Sequence, residues 1–400
     1  MTESQKAPVN GTAARPYIGG QAVLEGVMMR APSSFAVVVR RADGSLHVRE
    51  RAMKDERSGW ARLPFIRGVT SLVESLRLGS ESLKFSAELF EKDMEAEEEK
   101  REATSRRAKS AAGTNILSAL TLAVMALTTT QDGEEVIAPA KIEKSEKKKS
   151  SGTLWLMLFV VIAFFIALPQ AAAAGINGWA HLNLDVQSPA FQLITGALKL
   201  CIVVGYLTLI RRVPDIRRVF QYHGAEHKTI STYEANETLT VPNARAKTTL
   251  HPRCGTTFLV MVALVSILVF TGVGGFLPRI QTGNTILDNV VFFFEKLPFL
   301  PFITAITFEL QRVFARYCTT GPLRALLWPG FLVQKITTIE PDDDQLEVAL
   351  ASLRATLFRQ DGGAAKADGA GGDARTGDVR FSSYEALLES SSLRSLRPAA

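Results

Sequence analysis

Long uncharged runs constrain this chain more than any other feature. Leu154 to Ala174 is 21 residues without a charge, Phe191 to Ile210 is 20 with only Lys199, and Thr256 to Leu277 is 22 with none. Each is long enough to cross a hydrocarbon core of ~30 Å as a helix, and helices of water-soluble cores rarely run so far without a charge. A fourth run, Leu297 to Tyr317, is weaker because it carries Glu309, Arg312 and Arg316. The expected architecture is a mainly α-helical polytopic membrane protein with about four transmembrane helices. Of 400 residues, 46% are hydrophobic, which leaves ample polar chain for appendages outside a bilayer. The first thirty residues hold no apolar core bounded by a small-residue cleavage site, so no cleavable signal peptide is expected.

Basic residues set the expected orientation, because lysine and arginine are retained on the cytoplasmic side. The loop 211–255 has eight: Arg211, Arg212, Arg217, Arg218, Lys228, Arg245, Lys247 and Arg253. The loop 175–190 has none, and that between Pro278 and Lys296 has only Arg279 and Lys296. Both termini and the 211–255 loop are therefore expected in the cytoplasm of a multi-pass protein. Cys201, Cys254 and Cys318 fall in spans or at their cytoplasmic ends, so no disulfide is expected and a thiolate ligand remains chemically open.

The organisation expected outside the spans follows from local patterning. Residues 1–16 read as disordered and 17–90 as a small α+β unit with a β-hairpin, FAVVVRR and SLHVRER around an Asp43-Gly44 turn. GGQAVLEGVMMRAP before the hairpin reads as one more strand. Ile66, Val69, Leu72, Val73 and Leu76 recur at helical spacing, and that stripe is expected to pack on the hairpin rather than lie on the membrane. Residues 91–153 read as a charged and polar linker with a short apolar segment at 115–130, a solvated face rather than a site. The membrane domain is expected over 154–318. Asp342, Asp343 and Asp344 begin an amphipathic helix within a C-terminal segment 319–358, where carboxylates suit the helix dipole. The Gly-, Ala-, Asp- and Ser-rich residues 359–400 read as a disordered tail.

Chemistry concentrates in YHGAEHK, residues 222–228, which holds two of the five histidines. On a helix His223 and His227 share a face with Glu226 beside them. Two imidazoles so spaced can grip one zinc ion, and the carboxylate can take a proton from metal-bound water. This is the H-x-x-E-H order known from metallopeptidases. The competing explanation is a polar helix turn whose histidines pair with neighbours. HPRCGTTF then places His251 and Cys254 at the edge of the third span, although Pro252 and Gly255 punctuate a turn on their own account. His223 and His227 with one of His251, Cys254, Glu234 or Glu309 would make a catalytic site, and all of His223, His227, His251 and Cys254 a structural one. Cys254 is the preferred third ligand, because Pro252 restricts the backbone of His251.

FQYHGAEHKTI, HPRCGTTFL, GGQAVLEGVMMRAP, LPFIRGV and EPDDDQLEVAL, together, closely resemble the YqhQ-like bacterial membrane proteins, a family with a domain of unknown function described as predicted metal-dependent enzymes. The resemblance spans roughly 17–90 and 154–357. It implies His223, Glu226, His227, His251 and Cys254 as site residues, with Glu25 and Arg30 as contributors, and it supplies no substrate.

Two classes of function follow. One is a metal-dependent hydrolase at the cytoplasmic face of the bacterial inner membrane, with a divalent metal, expected to be zinc, and Glu226 as general base. The other is a non-catalytic assembly factor or transporter whose cluster is structural. No nucleophile motif or phosphate-cradling loop accompanies the histidines, and GGQAVLEG lacks the glycine spacing of a dinucleotide turn. The basic loop is expected to meet anionic lipid of the bilayer, not nucleic acid. Within the spans, Lys199 and Glu309 reach similar depth and are expected to pair, since an unpaired charge there costs at least ~2.5 kcal/mol.

Overall fold

FAVVV is an unbroken apolar run, and a strand buried on both faces is what such a run favours. The structure, a computed structural model, describes residues 16–53, 63, 66–111, 167–278, 284–318, 321–361 and 377–390. In it β3 (Ser34–Arg40) is central in a five-stranded antiparallel meander with β1 (Gly19–Val23), β2 (Gly26–Arg30), β4 (Leu46–Ala52) and β5 (Gly377–Phe381). The expected hairpin is present, with Val38 opposite Val48 and Arg40 opposite Leu46. GGQAVLEGVMMR forms two strands, not one: Val23 pairs Gly26 across Leu24 and Glu25, and Glu25 takes a positive φ of 50° to close the turn.

Helices cover both faces of the sheet. Phe35, Val37, Val39, Val23 and Met28 face Leu78, Phe85 and Leu89 of α1 (Ile66–Ala111). Ala36, Val38, Val27, Met29, Leu46 and Val48 face α4 (Pro214–Glu234) and α10 (Asp343–Gln360). The face of α1 that packs is therefore not the one expected. Val73 and Leu76 are 60% and 64% exposed, and Leu78, Phe85 and Leu89 pack instead. Residues 1–89 with 164–400 form one unit. A second unit, 90–163, is described only as the charged continuation of α1 as far as Ala111. The apolar segment 115–130 lies outside the described residues.

The C-terminal segment is not a separate appendage, because α10 is the centre of the α/β core. Asp342 and Gln345 form a reciprocal capping box at its start, and Leu346, Val348, Leu350, Leu353 and Ala355 are all fully or nearly fully buried. Nor is the tail wholly disordered. β5 pairs with β4, Val379 opposite Val48, and α11 (Tyr384–Glu389) buries Tyr384 and Leu387 in the same core. The open edge of β4 and a few apolar residues outweigh a tail composition that argues against packing.

Among the described residues, three segments are long and apolar enough to cross a membrane: α3 (Pro189–Ile210), α6 (Gly255–Val273) and Leu287–Tyr317. The last joins α7 (Thr285–Lys296) and α8 (Leu300–Tyr317) through a single 3-10 turn, so it begins earlier than its sequence signal and Lys296 lies within it, not in a loop. Of the run 154–174, residues 154–166 lie outside the described part; the rest enters α2 (Leu168–Trp179). α6 is central, packed by α3, α8 and α9 (Trp328–Thr337). Close backbone approach is secured by small residues: a Cβ on Gly196 would lie 2.3 Å from Ile267, and one on Gly330 the same distance from Thr257.

Candidate metal centre

α4 begins with Pro214 at its first turn and Asp215 beside it, both favourable at a helix start. Its second half is buried between β1 and α10. Gly224 makes this possible, since a Cβ there would sit 2.1 Å from the Ile339 carbonyl oxygen, and the Ile339 N–H donates to the Phe220 carbonyl at 2.9 Å. α4 is thereby pressed against the end of α9, and its histidines meet the turn that leads into α6.

Cys254 is the N-cap of α6, its Sγ accepting from the Thr256 N–H at 3.4 Å. His223 Nε2 stands 3.1 Å from that Sγ, while its Nδ1 donates to the Thr337 carbonyl at 2.9 Å. His227 Nδ1 donates to the Thr249 carbonyl at 2.5 Å, and its buried Nε2 has no hydrogen-bond partner among the described residues. A carbonyl only accepts, so both rings carry a proton on Nδ1, and in the neutral form each presents a bare Nε2. The three ligand atoms of His223, His227 and Cys254 lie within 4.8 Å of one another. Ligand atoms around tetrahedral zinc stand about 3.3–3.6 Å apart, so small side-chain rotations close the set.

Charge couples the same side chains: without a metal, His223 and Cys254 form an imidazolium–thiolate pair whose proton an ion would displace. Burial alone would push the Cys254 thiol up, but the His223 and His227 rings hold it well below the ordinary thiol range. Burial would lower His223, yet the Cys254 sulfur, Glu226 and the Thr337 carbonyl raise it. Burial lowers His227, and it carries His251 down to about 4. Glu226 is pushed up to about 8, chiefly by burial and further by Cys254, against the opposing effects of His223 and the Ala22 backbone N–H. Its carboxylate is walled in by β1, where a Cβ on Gly20 would lie 2.7 Å from Glu226 Oε1.

Other sequence candidates lie apart. His251 is buried beside the cluster, its ring 5.6 Å from that of His227, but its Nε2 is turned 3.4 Å from Glu234, which also pairs with Arg253. Glu25 clamps Arg218 and accepts from the Tyr222 hydroxyl at 3.3 Å, and Arg30 pairs with Glu74 at 3.3 Å. Glu309 does not pair with Lys199; Arg67 holds it with two parallel bonds of 2.7 and 2.5 Å. Among the described residues Lys199 has no ion-pair partner.

Several contributors escape a reading of the sequence. Gln334 grips the turn before Cys254: its Oε1 accepts from the His251 N–H at 2.8 Å, and its Nε2 donates to the His251 carbonyl at 2.7 Å and to Thr257 Oγ1 at 2.6 Å. Gln311 donates to the Cys254 carbonyl at 3.1 Å. Lys228 is 3% exposed, and it bonds the carbonyl of Arg245 at the end of α5 (Val241–Arg245), the Lys247 carbonyl and Glu340, stapling the loop to the core. A glutamine inside the apolar run FLVQKI and a glycine pair opening a strand are the available signals.

A family model described as "Protein of unknown function (DUF1385)" matches residues 63–359, a span that includes all three clustered residues. The chain is 28% identical over 358 residues to "Uncharacterized protein YqhQ" of Bacillus subtilis (strain 168), covering 86% of this chain and 92% of that protein. No solved structure matches.

Proposed function

Because the chain belongs to the DUF1385 family, the YqhQ-like proteins of unknown function, we propose its role from its own chemistry: a zinc-dependent hydrolase working at the cytoplasmic face of the bacterial inner membrane. One observation carries the reading. Two imidazoles are anchored through Nδ1 on main-chain carbonyls, and both lie with a cysteine sulfur inside one 4.8 Å cluster. Such outer hydrogen bonds are what metal-binding histidines require for tautomer and orientation.

His223, His227 and Cys254 supply three ligands and leave a fourth position, the pattern of catalytic zinc. When bound, the ion would bring the ionisation of a water near neutrality. Glu226, its carboxyl raised to about 8, accepts the proton of the attacking water and returns it to the leaving group, a role best served by a pKa near the working pH. The Thr249 and Thr337 carbonyls fix the rings, and β1 shields the carboxylate. The substrate class is a peptide, lipid head group or similar molecule delivered at the membrane.

The same reading places four spans, with 154–174 as the first. The N-terminal sheet, the histidine helix and α10 share one core, so they lie on one side of the bilayer. α3 starts from the opposite side. The basic loop favours the cytoplasm, although Arg218, Lys228, Arg245, Lys247 and Arg253 pair with carboxylates of the protein itself.

Depth of burial favours a second reading, since His227, Glu226 and Cys254 are only 1%, 6% and 6% exposed. In it the metal is structural and the protein an assembly factor or transporter. Glu226→Gln and His223→Ala decide between them. Hydrolysis predicts that His223→Ala loses metal while Glu226→Gln keeps it, with both failing to complement a deletion strain. A Glu226→Gln chain that complements fully assigns the metal to structure.

A further inference from the structure

α1 has two apolar stripes on opposite faces. Leu78, Phe85 and Leu89 are buried against the sheet. Ile66, Val73, Leu76 and Leu83 follow at i, i+7, i+10 and i+17, so they fall on one face roughly opposite, and they are 40%, 60%, 64% and 48% exposed. This second stripe runs for about 26 Å at ~1.5 Å per residue.

The charges are sorted in the same way. Glu74 and Glu81, on the sheet side, are neutralised by Arg30 and Arg51 at 3.3 and 3.1 Å. Arg77 and Lys84 flank the open stripe, are exposed, and have no carboxylate partner among the described residues.

The first turn of α1 is fastened to a segment long and apolar enough to cross the membrane. Arg67 forms its two-pronged pair with Glu309, two turns inside the end of α8, and a Cβ on Gly68 would lie 2.9 Å from Phe308. The open stripe thus begins where α1 meets a segment long and apolar enough to cross a membrane.

We infer that α1 from Ile66 to Leu83 is an interfacial helix. Its outer stripe lies in the boundary between acyl chains and head groups, Arg77 and Lys84 hold anionic phospholipid, and the inner stripe carries the sheet. A helix with one apolar face, cationic flanks and a buried depth of ~5–10 Å is the expected form of such an anchor. Cations near an anionic surface add attraction that falls off within a Debye length. The α/β body that holds the histidine cluster is thereby seated on the bilayer, independently of what the cluster does.

Spin labels on the full chain in lipid vesicles test this. Val73→Cys, Leu76→Cys and Leu83→Cys are each introduced with Cys201→Ser and Cys318→Ser, and Ala42→Cys in the exposed β3–β4 turn is the aqueous reference. The three stripe labels are expected to relax with oxygen in preference to a water-soluble nickel chelate, the reverse of Ala42→Cys. In vesicles containing anionic lipid, but not in purely zwitterionic ones, Arg77→Gln with Lys84→Gln should make the stripe labels shallower. Labels as open to the nickel chelate as Ala42→Cys would overturn the inference, and so would short label-to-label distances showing that a second copy covers the stripe. Identical depths with and without the two cations in anionic vesicles would refute the lipid-binding role of Arg77 and Lys84.

Discussion

Cys254→Ser strips zinc from the purified protein and leaves the helix beneath it intact. The substitution separates two roles of one side chain. Cys254 caps α6 by accepting from the Thr256 N–H, and serine is among the best residues for that task. As a zinc ligand a neutral serine hydroxyl is far poorer than a thiolate held low by two adjacent imidazoles. Changing an outer hydrogen-bond partner of a ligand already costs about 10–100-fold in metal affinity, and loss of the ligand itself should exceed that. Metal per chain should fall from about one equivalent to near zero after dialysis, with helical content and membrane extraction unchanged. Cys201→Ser and Cys318→Ser should retain full metal, because neither sulfur belongs to the cluster. Equal metal in Cys254→Ser and wild type would remove the thiolate from the site.

Glu309→Gln and Arg67→Gln each lower the amount of protein in the membrane, and the exchange Arg67→Glu with Glu309→Arg recovers much of it. The pair joins α1 to α8 with two parallel bonds across 242 positions of sequence. Removing one partner leaves the other charge two turns inside a segment able to cross the membrane, at a cost of about 2.5–3.5 kcal/mol on insertion scales. Breaking a partly buried pair on one side costs more than replacing both partners together. Lys199→Gln should not mimic either single variant, because Lys199 makes no contact with the carboxylate. Quantitative immunoblots of membrane fractions provide the measurement. An exchange variant no more abundant than the worse single variant would show that the pairing does not hold the two helices together.

How much of this could be read from residues alone depended on range. The H-x-x-E-H spacing is local, and helix geometry puts His223 and His227 on one face without reference to the rest of the chain. Cys254 was accessible because both ends of the 211–255 loop return to the same bundle. The carbonyls of Thr249 and Thr337 leave no trace in residue identity, since every residue has one. α1 misled for a different reason: apolar residues occur on two faces, and periodicity does not say which one meets the sheet. Val379, Phe381 and Leu387 were hidden by the polar, small-residue composition around them, although pairing to β4 needs only a few such positions. The partner of Glu309 is not legible because depth along a span suggests Lys199, whereas the guanidinium arrives from α1, which is not among the segments apolar enough to cross.

The account stands on three side chains meeting one ion, and zinc-edge X-ray absorption of the wild-type protein measures that directly. The predicted inner shell has one sulfur at about 2.3 Å and two imidazole nitrogens at about 2.0–2.1 Å, with one lighter atom completing four. A protein that carries no stoichiometric metal after reloading, or a zinc shell made only of nitrogen and oxygen, would contradict it.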